Sequence, residues 1–453
     1  MRKFIEPESV AIIGASANPL KGGNALVANM KEVLGKRVYP VNPSHKEICG
    51  LPCHSEVTGL PEVVDFAIVF VPPPAVPEVL EQCGVKGIKR VMIQSAGFAE
   101  TGAEGLALQD QCTNIARKYA MRIWGPNCMG VVNGRTGMVA SFMRPEIWKG
   151  RLKPGGVSLI VQSGLLSAGF ILQILSEGYF GLSKACSIGN RCDVNECDLL
   201  EYFSDDPETE VIALYLESIS DAGRFRRAIS RLQRPVVLLK GGLSKEGARA
   251  ALSHTGSLAG DGRLAEGFFR QLGIHRAWDF IEWMDLAKAL VLWQGRSGGH
   301  RMAIVTFSGA SGIVSTDHFI RRGMAIATLS PATIEKLRTV YPPWMEPRNP
   351  VDIWPAVERS GREAYAVALE AVLQDPEVDG IFVHIYVDGS LLNEVLAFLR
   401  TLEGCKKPAA IWVVGDSAYF RTLRDGAERM GIAVYNEIER GVRALSLFAH
   451  PKK

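Results

Sequence analysis

Short apolar runs alternate with longer amphipathic stretches along almost the whole chain. In the first third of the sequence, runs of strand length occur in SVAIIGAS, KRVYPVNP, VDFAIVFVPPP, RVMIQSAGF and MRIWGPN, and stretches of helix length separate most of them. Such alternation is typical of parallel strands that are joined by crossover helices. The pattern predicts a doubly wound α/β domain over residues 1–150.

The same alternation begins again twice further along the chain. The strand patterns GVSLIVQSG, GLSKACSIGN, EVIALYLESI and PVVLLKGG, closed by the helical stretch DFIEWMDLAKALVLW, predict a second unit over residues 151–295. The glycine-rich segment QGRSGGH, residues 294–300, has the composition of a linker. After it, RMAIVTFSGASG, DGIFVHIYVDG and PAAIWVVGDS predict a third unit over residues 300–453. We therefore expect an α/β protein of three doubly wound units.

Charge and cysteine content exclude several classes of protein. The 453 residues include 51 Lys and Arg against 48 Asp and Glu, a balance with no strong attraction for nucleic acid or an anionic membrane. Glu6, Pro7 and Glu8 interrupt the N-terminal sequence before any signal-peptide core, and no apolar run approaches the roughly 18 to 20 residues of a membrane span. The nine cysteines lack the paired spacing of zinc ligands. We expect a cytoplasmic protein without a metal site and without nucleic-acid or membrane partners.

The first glycine-rich turn, IIGASANPLKGGN, follows a strand and leads into a helix. The backbone N–H groups of Gly14, Ala15 and Ser16 are therefore candidates for binding a phosphate group. A dinucleotide fingerprint would need glycines in place of Ser16 and Pro19, and the second strand lacks a following acidic residue for a ribose hydroxyl. The turn thus favours a phosphate-bearing ligand other than NAD, with a purely structural turn as the alternative.

Proline and polar residues follow the other strands of the first predicted unit. They are Asn42, Pro43 and Lys46 after the second strand, Val71, Pro72 and Pro73 after the third, Gln94 and Ser95 after the fourth, and Asn127 after the fifth. Proline after a strand often only ends that strand. Because the carboxyl ends of parallel strands share one edge of the sheet, these residues together predict a long groove for an extended ligand.

One histidine, His254, lies in the segment ARAALSHTGSLAG, where small residues leave room for a bulky anion. A lone loop histidine is more often a surface or structural residue. Here, however, Glu217 ends a predicted strand, Ser163 and Gly164 begin a predicted helix, and Lys240 ends the strand before the histidine loop. A nucleophilic imidazole, a carboxylate that orients it and a helix terminus that stabilises an anion are the components of a phosphohistidine site.

These motifs also carry a specific resemblance. ARAALSHTGSLAGDGRLAEGFFRQLG, SIGNRCDVNECDLLEYFSDDPETEVIALYLESI, GPNCMGVVN and SVAIIGASANPLKGGNALVANM resemble the α subunit of the NDP-forming acyl-CoA synthetases. That family includes the ADP-forming acetyl-CoA synthetases and is related to succinyl-CoA synthetase. The similarity runs from residue 6 to about residue 450 and keeps the order of the domains. It implies a Rossmann-like CoA-binding domain followed by two flavodoxin-like domains.

The resemblance also implies roles for individual residues. His254 would accept the phosphoryl group, and Glu217 would orient the imidazole of His254. Phosphate would be held at the helix start by Ser163, Gly164 and Leu165. The CoA site would be lined by Gly14, Ala15, Ser16, Lys46, Val71, Pro72, Pro73, Gln94 and Asn127. Relatives often have a smaller residue than Leu165, so this position leaves the identity of the acid open.

The implied chemistry converts acyl-CoA and phosphate into acyl phosphate and CoA, then forms phosphohistidine, and then phosphorylates ADP. The chain has no GxxxxGK[ST] loop, and the family places ADP or ATP with Mg²⁺ on an ATP-grasp unit, usually a separate β subunit. We therefore expect an acid–thiol ligase that acts with an ATP-grasp β subunit as a hetero-oligomer. The alternative is a regulatory module that binds CoA or acyl-CoA without catalysis.

Overall fold

The structure is a computed structural model that describes residues 1–247, residue 249 and residues 262–448. His254 lies outside the described residues. The chain divides into two compact units, Met1–Ala287 and Lys288–Lys453. In the described ranges, no helix combines the length and the apolar character needed to cross a bilayer.

A parallel five-stranded sheet forms the first part of the Met1–Ala287 unit, in the order β2-β1-β5-β6-β7. All four residues of β1 are buried and apolar, as expected for a strand covered by helices on both faces. The order reverses beside β1, so the turn that begins with Gly14 lies at the switch point where ligands bind in open α/β sheets. Its strands are β1 Val10–Ile13, β2 Val38–Val41, β5 Phe66–Val69, β6 Arg90–Ile93 and β7 Arg122–Trp124, with a small hairpin of β3 Glu47–Ile48 and β4 Leu51–Pro52 and helices α1 Arg2–Ile5, α2 Gly22–Leu34, α3 Val76–Lys86 and α4 Ala103–Lys118.

A seven-stranded sheet follows in the same unit, in the order β14-β13-β12-β10-β11-β8-β9. Strands β10 to β14 are parallel, and β8 and β9 are antiparallel to their neighbours. The strands are β8 Gly130–Asn133, β9 Met138–Ala140, β10 Pro154–Val161, β11 Leu182–Ser187, β12 Val211–Leu216, β13 Val236–Lys240 and β14 His275–Ala277; the helices are α5 Pro145–Trp148, α6 Gly164–Glu177, α7 Glu196–Asp205, α8 Ala222–Arg231, α9 Gly262–Gln271 and α10 Phe280–Leu292.

The hairpin β8–β9 is an element that the sequence pattern did not predict. The Asn133 side chain accepts the backbone N–H groups of Arg135 and Thr136 and so shapes the turn between the two strands. The hairpin extends the second sheet, although its residues lie before residue 150. Helix α2 of the first sheet packs against β9. The second sheet therefore draws strands from both sides of residue 150, and the predicted domain boundaries stay a prediction.

The third sheet lies in the Lys288–Lys453 unit and is entirely parallel, in the order β16-β15-β18-β19-β20 with β17 beside β15. The strands are β15 Arg301–Thr306, β16 Ala325–Ile326, β17 Val351–Asp352, β18 Gly380–Val387, β19 Ala409–Gly415 and β20 Ala433–Tyr435; the helices are α11 Gly309–Arg321, α12 Pro331–Arg338, α13 Trp354–Ser360, α14 Glu363–Gln374, α15 Leu392–Leu399, α16 Ser417–Arg429 and α17 Ile438–Leu445. The predicted α/β class with three sheets of mainly parallel strands is confirmed.

The segment QGRSGGH is not the free linker that its composition predicts. The Ser297 N–H donates to the Lys406 carbonyl, and the Arg296 guanidinium donates to the Lys407 carbonyl. A Cβ atom on Gly298 would lie 2.7 Å from the ring of Phe448, which is too close. Gly298 and Gly299 therefore permit close packing within the Lys288–Lys453 unit, a role that composition alone does not separate from flexibility.

Candidate active site

The turn after β1 is tightly packed around Gly14. This residue has a φ of 88°, and a Cβ atom in its place would collide with the carbonyl oxygen of Phe70. A Cβ on Gly23 would in turn collide with the Gly14 carbonyl, so glycine is needed on both sides of the contact between the turn and α2. The Gly14 N–H donates to the Val41 carbonyl at 3.1 Å. The prediction that this N–H binds phosphate is therefore wrong, and Gly14 serves the turn's conformation.

Ala15 and Ser16, the next two residues, are held through their carbonyl groups. The Asn42 side-chain amide donates to the Ala15 carbonyl, and the Asn24 amide donates to the Ser16 carbonyl, both at 2.8 Å. Within the part of the chain that the structure describes, the N–H groups of Ala15 and Ser16 have no hydrogen-bond acceptor. Two side-chain amides thus fix the turn through its carbonyls and leave adjacent N–H groups for an anion.

Of the other residues predicted for this site, all except Gln94 lie exposed or half-buried at the edge of the sheet. Lys46 and Pro72 are exposed, and Val71, Pro73 and Asn127 are half-buried at the carboxyl edge of the first sheet. Gln94 differs, because its side chain is only 3% exposed and donates to the Ala140 carbonyl at 2.8 Å. Gln94 therefore secures the β8–β9 hairpin to the first sheet, and its amide N–H group is not directed to a ligand at the edge.

Asn127 follows β7 and adopts a left-handed conformation with a φ of 58°, which asparagine tolerates better than most residues. Its N–H donates to the Ser95 carbonyl at 2.9 Å, which fixes the turn against the end of β6. The Asn127 carbonyl lies 3.5 Å from the position of a Cβ on Gly164. The end of the first sheet and the first residue of α6 are therefore neighbours.

Helix α6 begins at the carboxyl end of β10. Ser163 is its N-cap residue in an extended conformation, Gly164 is its first helical residue, and Leu165 continues the first turn. In a helix of 14 residues the first N–H groups have no acceptor within the helix itself, and the positive end of the helix dipole lies at this terminus. The predicted phosphate-binding helix start is thus placed beside the Asn127 turn.

Glu217 lies at the end of β12, and the side chains around it hold its backbone. The Gln162 side-chain oxygen accepts the N–H groups of both Glu217 and Ser218, at 2.7 and 3.1 Å. The Lys240 ammonium donates to the Glu217 carbonyl, and Arg191 donates to the Ser218 carbonyl at 3.0 Å and to its hydroxyl at 2.6 Å. Three side chains from three different strand ends therefore fix the backbone that carries the carboxylate. Glu217 itself is only 7% exposed.

The electrostatics of this region follow from burial and from the charges around Glu217. Burial, assisted by the positive charge of Arg191 and opposed by Glu217, lowers the pKa of Lys240 to about 8. Burial, with the Glu217 charge as the second cause, raises the pKa of Tyr215 to about 12, and the Tyr215 hydroxyl donates to the Glu217 carboxylate at 3.4 Å. Arg191 forms a buried ion pair of 2.8 Å with Glu196. The site thus combines an oriented carboxylate with two cationic groups and a helix N-terminus.

Gln162, Arg191 and Tyr215 were not predicted as site residues. Gln162 precedes the predicted helix start and Arg191 stands in the SIGNRC motif, so the sequence places both residues after strands. The sequence does not predict the left-handed backbone of Arg191, which has a φ of 59° and a side chain directed to Ser218. The predicted nucleophile, His254, lies outside the described residues.

Two family models match the chain. A CoA-binding domain matches residues 8–134, and a succinyl-CoA ligase like flavodoxin domain matches residues 154–290. The chain is 40% identical over 378 residues to the acetate–CoA ligase (ADP-forming) II subunit alpha of Pyrococcus furiosus, which covers 83% of this chain and 80% of that protein. It is 34% identical over 450 residues to the acetate–CoA ligase (ADP-forming) II of Archaeoglobus fulgidus, which covers 98% of this chain and 66% of that protein.

A solved structure agrees with these relatives over the whole chain. The apo form of the dinucleotide forming acetyl-coenzyme A synthetase 1 of Ca. Korarchaeum cryptofilum matches with a TM-score of 0.87 and 30% identity, covering 99% of this chain and 96% of that chain. The order of the matched domains is the order in which the glycine turn and the Glu217 site occur here. The chain therefore belongs to the ADP-forming acetate–CoA ligases, as a ligase chain of the α-subunit type with an N-terminal CoA-binding domain.

Proposed function

We propose that this chain is the CoA-binding, phosphohistidine-carrying α subunit of an ADP-forming acyl-CoA synthetase. The reaction is acyl-CoA, ADP and phosphate to organic acid, CoA and ATP, and it is reversible. The observation that carries the proposal is that the Asn127 turn lies next to the start of α6. In the same site, three side chains hold the backbone of Glu217 and Ser218. Acetate is the acid we propose, because the relatives that support the family carry that name.

The CoA side of the site is supported by the chemistry of the turn after β1. CoA carries three negatively charged phosphate groups. The N–H groups of Ala15 and Ser16 and the exposed Lys46 offer hydrogen-bond donors for these phosphates. In the first step, an oxygen of phosphate attacks the acyl carbon, the C–S bond breaks, and the thiolate of CoA takes the proton that phosphate loses. The N-terminus of α6 would stabilise the negative charge of the acyl phosphate.

In the second step, a ring nitrogen of His254 attacks phosphorus, the bond between phosphorus and the acyl oxygen breaks, and the organic acid leaves as a carboxylate. Glu217 would accept the N–H of the other ring nitrogen, which keeps the attacking nitrogen unprotonated. Gln162 accepts from the Glu217 N–H, Lys240 donates to the Glu217 carbonyl, and Arg191 donates to the Ser218 carbonyl. These bonds limit the movement of the backbone that carries the carboxylate. Fixed positions of this kind supply most of the catalysis in phosphoryl transfer.

In the third step, the phosphoryl group passes from His254 to ADP on an ATP-grasp β subunit, which would also hold Mg²⁺. The name of one relative supports a partner, because that protein is called a subunit alpha. The proposed assembly is a hetero-oligomer of this chain with the β subunit. The acid–thiol ligase activity would then require both chains.

The test is the ADP- and phosphate-dependent release of CoA from acetyl-CoA by the chain with its β subunit. His254→Ala is expected to abolish ATP formation, and Glu217→Gln to slow it by about a hundredfold, within the range typical of positioned acid–base groups. His300→Ala is the matched control, because His300 is exposed and lies outside the proposed site. Normal turnover by His254→Ala would contradict the proposal, and CoA binding without turnover in the wild type would favour a regulatory CoA-binding module.

A further inference from the structure

The segment Gly189–Arg191, which follows β11, connects the two halves of the candidate site. Its backbone continues alongside the end of β7: the Asn190 N–H donates to the Pro126 carbonyl at 2.9 Å, and the Cys192 N–H donates to the Gly125 carbonyl at 3.1 Å. A Cβ on Gly189 would collide with the Pro126 carbonyl, so glycine permits this close approach. The segment is therefore held directly against the turn that presents Asn127.

The Asn190 side chain is directed to the CoA half of the site. Its oxygen accepts the Asn127 side-chain N–H at 3.3 Å, and its amide donates to Gln109 at 3.1 Å and to Glu100. The other oxygen of Glu100 accepts the Gly97 N–H at 2.6 Å, at the end of β6. Asn190 thus joins the Asn127 turn, the helical turn of Glu100 and helix α4 at the carboxyl edge of the first sheet.

The Arg191 side chain is directed to the opposite half. This side chain is 6% exposed, and its guanidinium pairs with Glu196 and donates twice to Ser218, the residue after Glu217. Gly189 and Arg191 have φ values of 57° and 59°, and these left-handed residues on both sides of Asn190 allow neighbouring side chains to diverge. Two consecutive residues therefore contact two different half-sites.

We propose that Asn190 and Arg191 are positioning residues for separate half-reactions: Asn190 fixes the CoA-side turn through Asn127, and Arg191 fixes Glu217 through Ser218. The assignment of the half-reactions rests on the proposed function. A segment that serves both halves also holds them in a fixed relation, which the transfer of the acyl group between CoA and phosphate requires.

Two measurements separate the two roles: the dissociation constant for CoA by calorimetry on the chain, and the rate of phosphate incorporation from labelled ATP with the β subunit. Asn190→Ala is expected to weaken CoA binding about tenfold and to leave phosphate incorporation within about twofold of the wild type, since the hydrogen bonds that it removes all lie on the CoA side. Arg191→Met is expected to slow incorporation by about tenfold or more and to leave CoA binding unchanged.

Asn114→Ala and Arg117→Met serve as matched controls, because both residues are exposed on α4 and contact each other. Arg191→Met leaves the buried Glu196 without its cationic partner. Ser218→Ala is therefore the second variant, because it removes one Arg191 contact and keeps the ion pair. Ser218→Ala is expected to slow incorporation about threefold with unchanged CoA affinity.

Equal losses of CoA affinity and phosphate incorporation in Asn190→Ala and in Ser218→Ala would overturn the proposal, because a merely structural role lowers both. Unchanged values in both variants would overturn it as well. If the wild type binds CoA but incorporates no phosphate, the phosphohistidine function fails by itself. The Asn190 assignment then stands or falls on the CoA dissociation constant alone.

Discussion

Gln162→Leu tests whether the backbone of Glu217 and Ser218 is held by a side chain. Gln162 is 5% exposed, and its single oxygen accepts two buried N–H groups. Leucine has a similar volume, so the packing around position 162 is kept while both acceptor contacts are lost. The substitution therefore isolates the hydrogen bonds from the space that the side chain fills.

The expected cost follows from the two groups left without an acceptor. A buried donor that loses its partner costs about 1 to 3 kcal/mol, so two such groups cost about 2 to 6 kcal/mol, with about 3 kcal/mol as the working value. For the unit Met1–Ala287, an unfolding entropy of about 2.1 cal/mol/K per residue means that about 1 kcal/mol lowers the melting temperature by about 1.7 °C. We expect the melting temperature of this unit to fall by about 5 °C.

The assay is differential scanning calorimetry together with the rate of phosphate incorporation in the presence of the β subunit. Gln111→Leu is the matched control, since Gln111 is exposed on α4, and its melting temperature is expected to stay within about 2 °C of the wild type. At temperatures below the melting temperature of Gln162→Leu, its rate of phosphate incorporation is expected to be about tenfold lower than that of the wild type, because the Glu217 carboxylate loses its fixed position. A melting temperature and a rate both equal to those of Gln111→Leu would refute the reasoning.

Three further predictions follow from single residues. Gly14→Ala is expected to abolish CoA binding, because the added Cβ collides with the Phe70 carbonyl. The control Gly35→Ala, at a residue with a positive φ but open space around it, is expected to keep the CoA dissociation constant of the wild type. Equal CoA affinity in the two variants would contradict this prediction. Gln94→Leu is expected to lower the melting temperature and to leave CoA affinity within about twofold, and a large loss of affinity would return Gln94 to the ligand site. The pKa of Lys240 in the folded chain is about 8, below the usual 10.5, so between pH 8 and pH 10 the unfolded chain binds more protons at Lys240 than the folded chain does. The wild type is therefore expected to gain stability relative to Lys240→Met as the pH rises, which urea titrations would measure. A constant difference in the free energy of unfolding would contradict the burial of Lys240.

The strands of the parallel sheets were predictable because their apolar runs are buried on both faces. Residues Val10–Ile13 of β1 are fully apolar, and the glycine turn after them marks the strand's carboxyl end. The hairpin β8–β9 was missed because a tight turn rather than a helix joins its strands and because its partner in the sheet, β11, lies later in the chain. Short antiparallel strands have no crossover helix, so the alternation of runs and stretches gives no sign of them.

The candidate site was predictable where strand ends define it and not where backbone conformation does. Glu217, Ser163 and Lys240 follow or end strands, and the parallel order of those strands brings them to one edge. Arg191 reaches the site only through its left-handed backbone, and Gln94 turns away from the edge toward Ala140. Neither direction follows from the spacing of residue types, because each depends on contacts between the two sheets.

The measurement that tests the central claim most directly is the identification of the labelled residue after incubation of the chain with its β subunit, Mg²⁺ and ATP labelled at the γ-phosphate. We expect phosphate that is labile in acid and stable in base, located by peptide mapping on His254, and lost when acetate and CoA are added. Label on any other residue, or none at all in a preparation that binds CoA and whose β subunit binds ATP, would contradict the account.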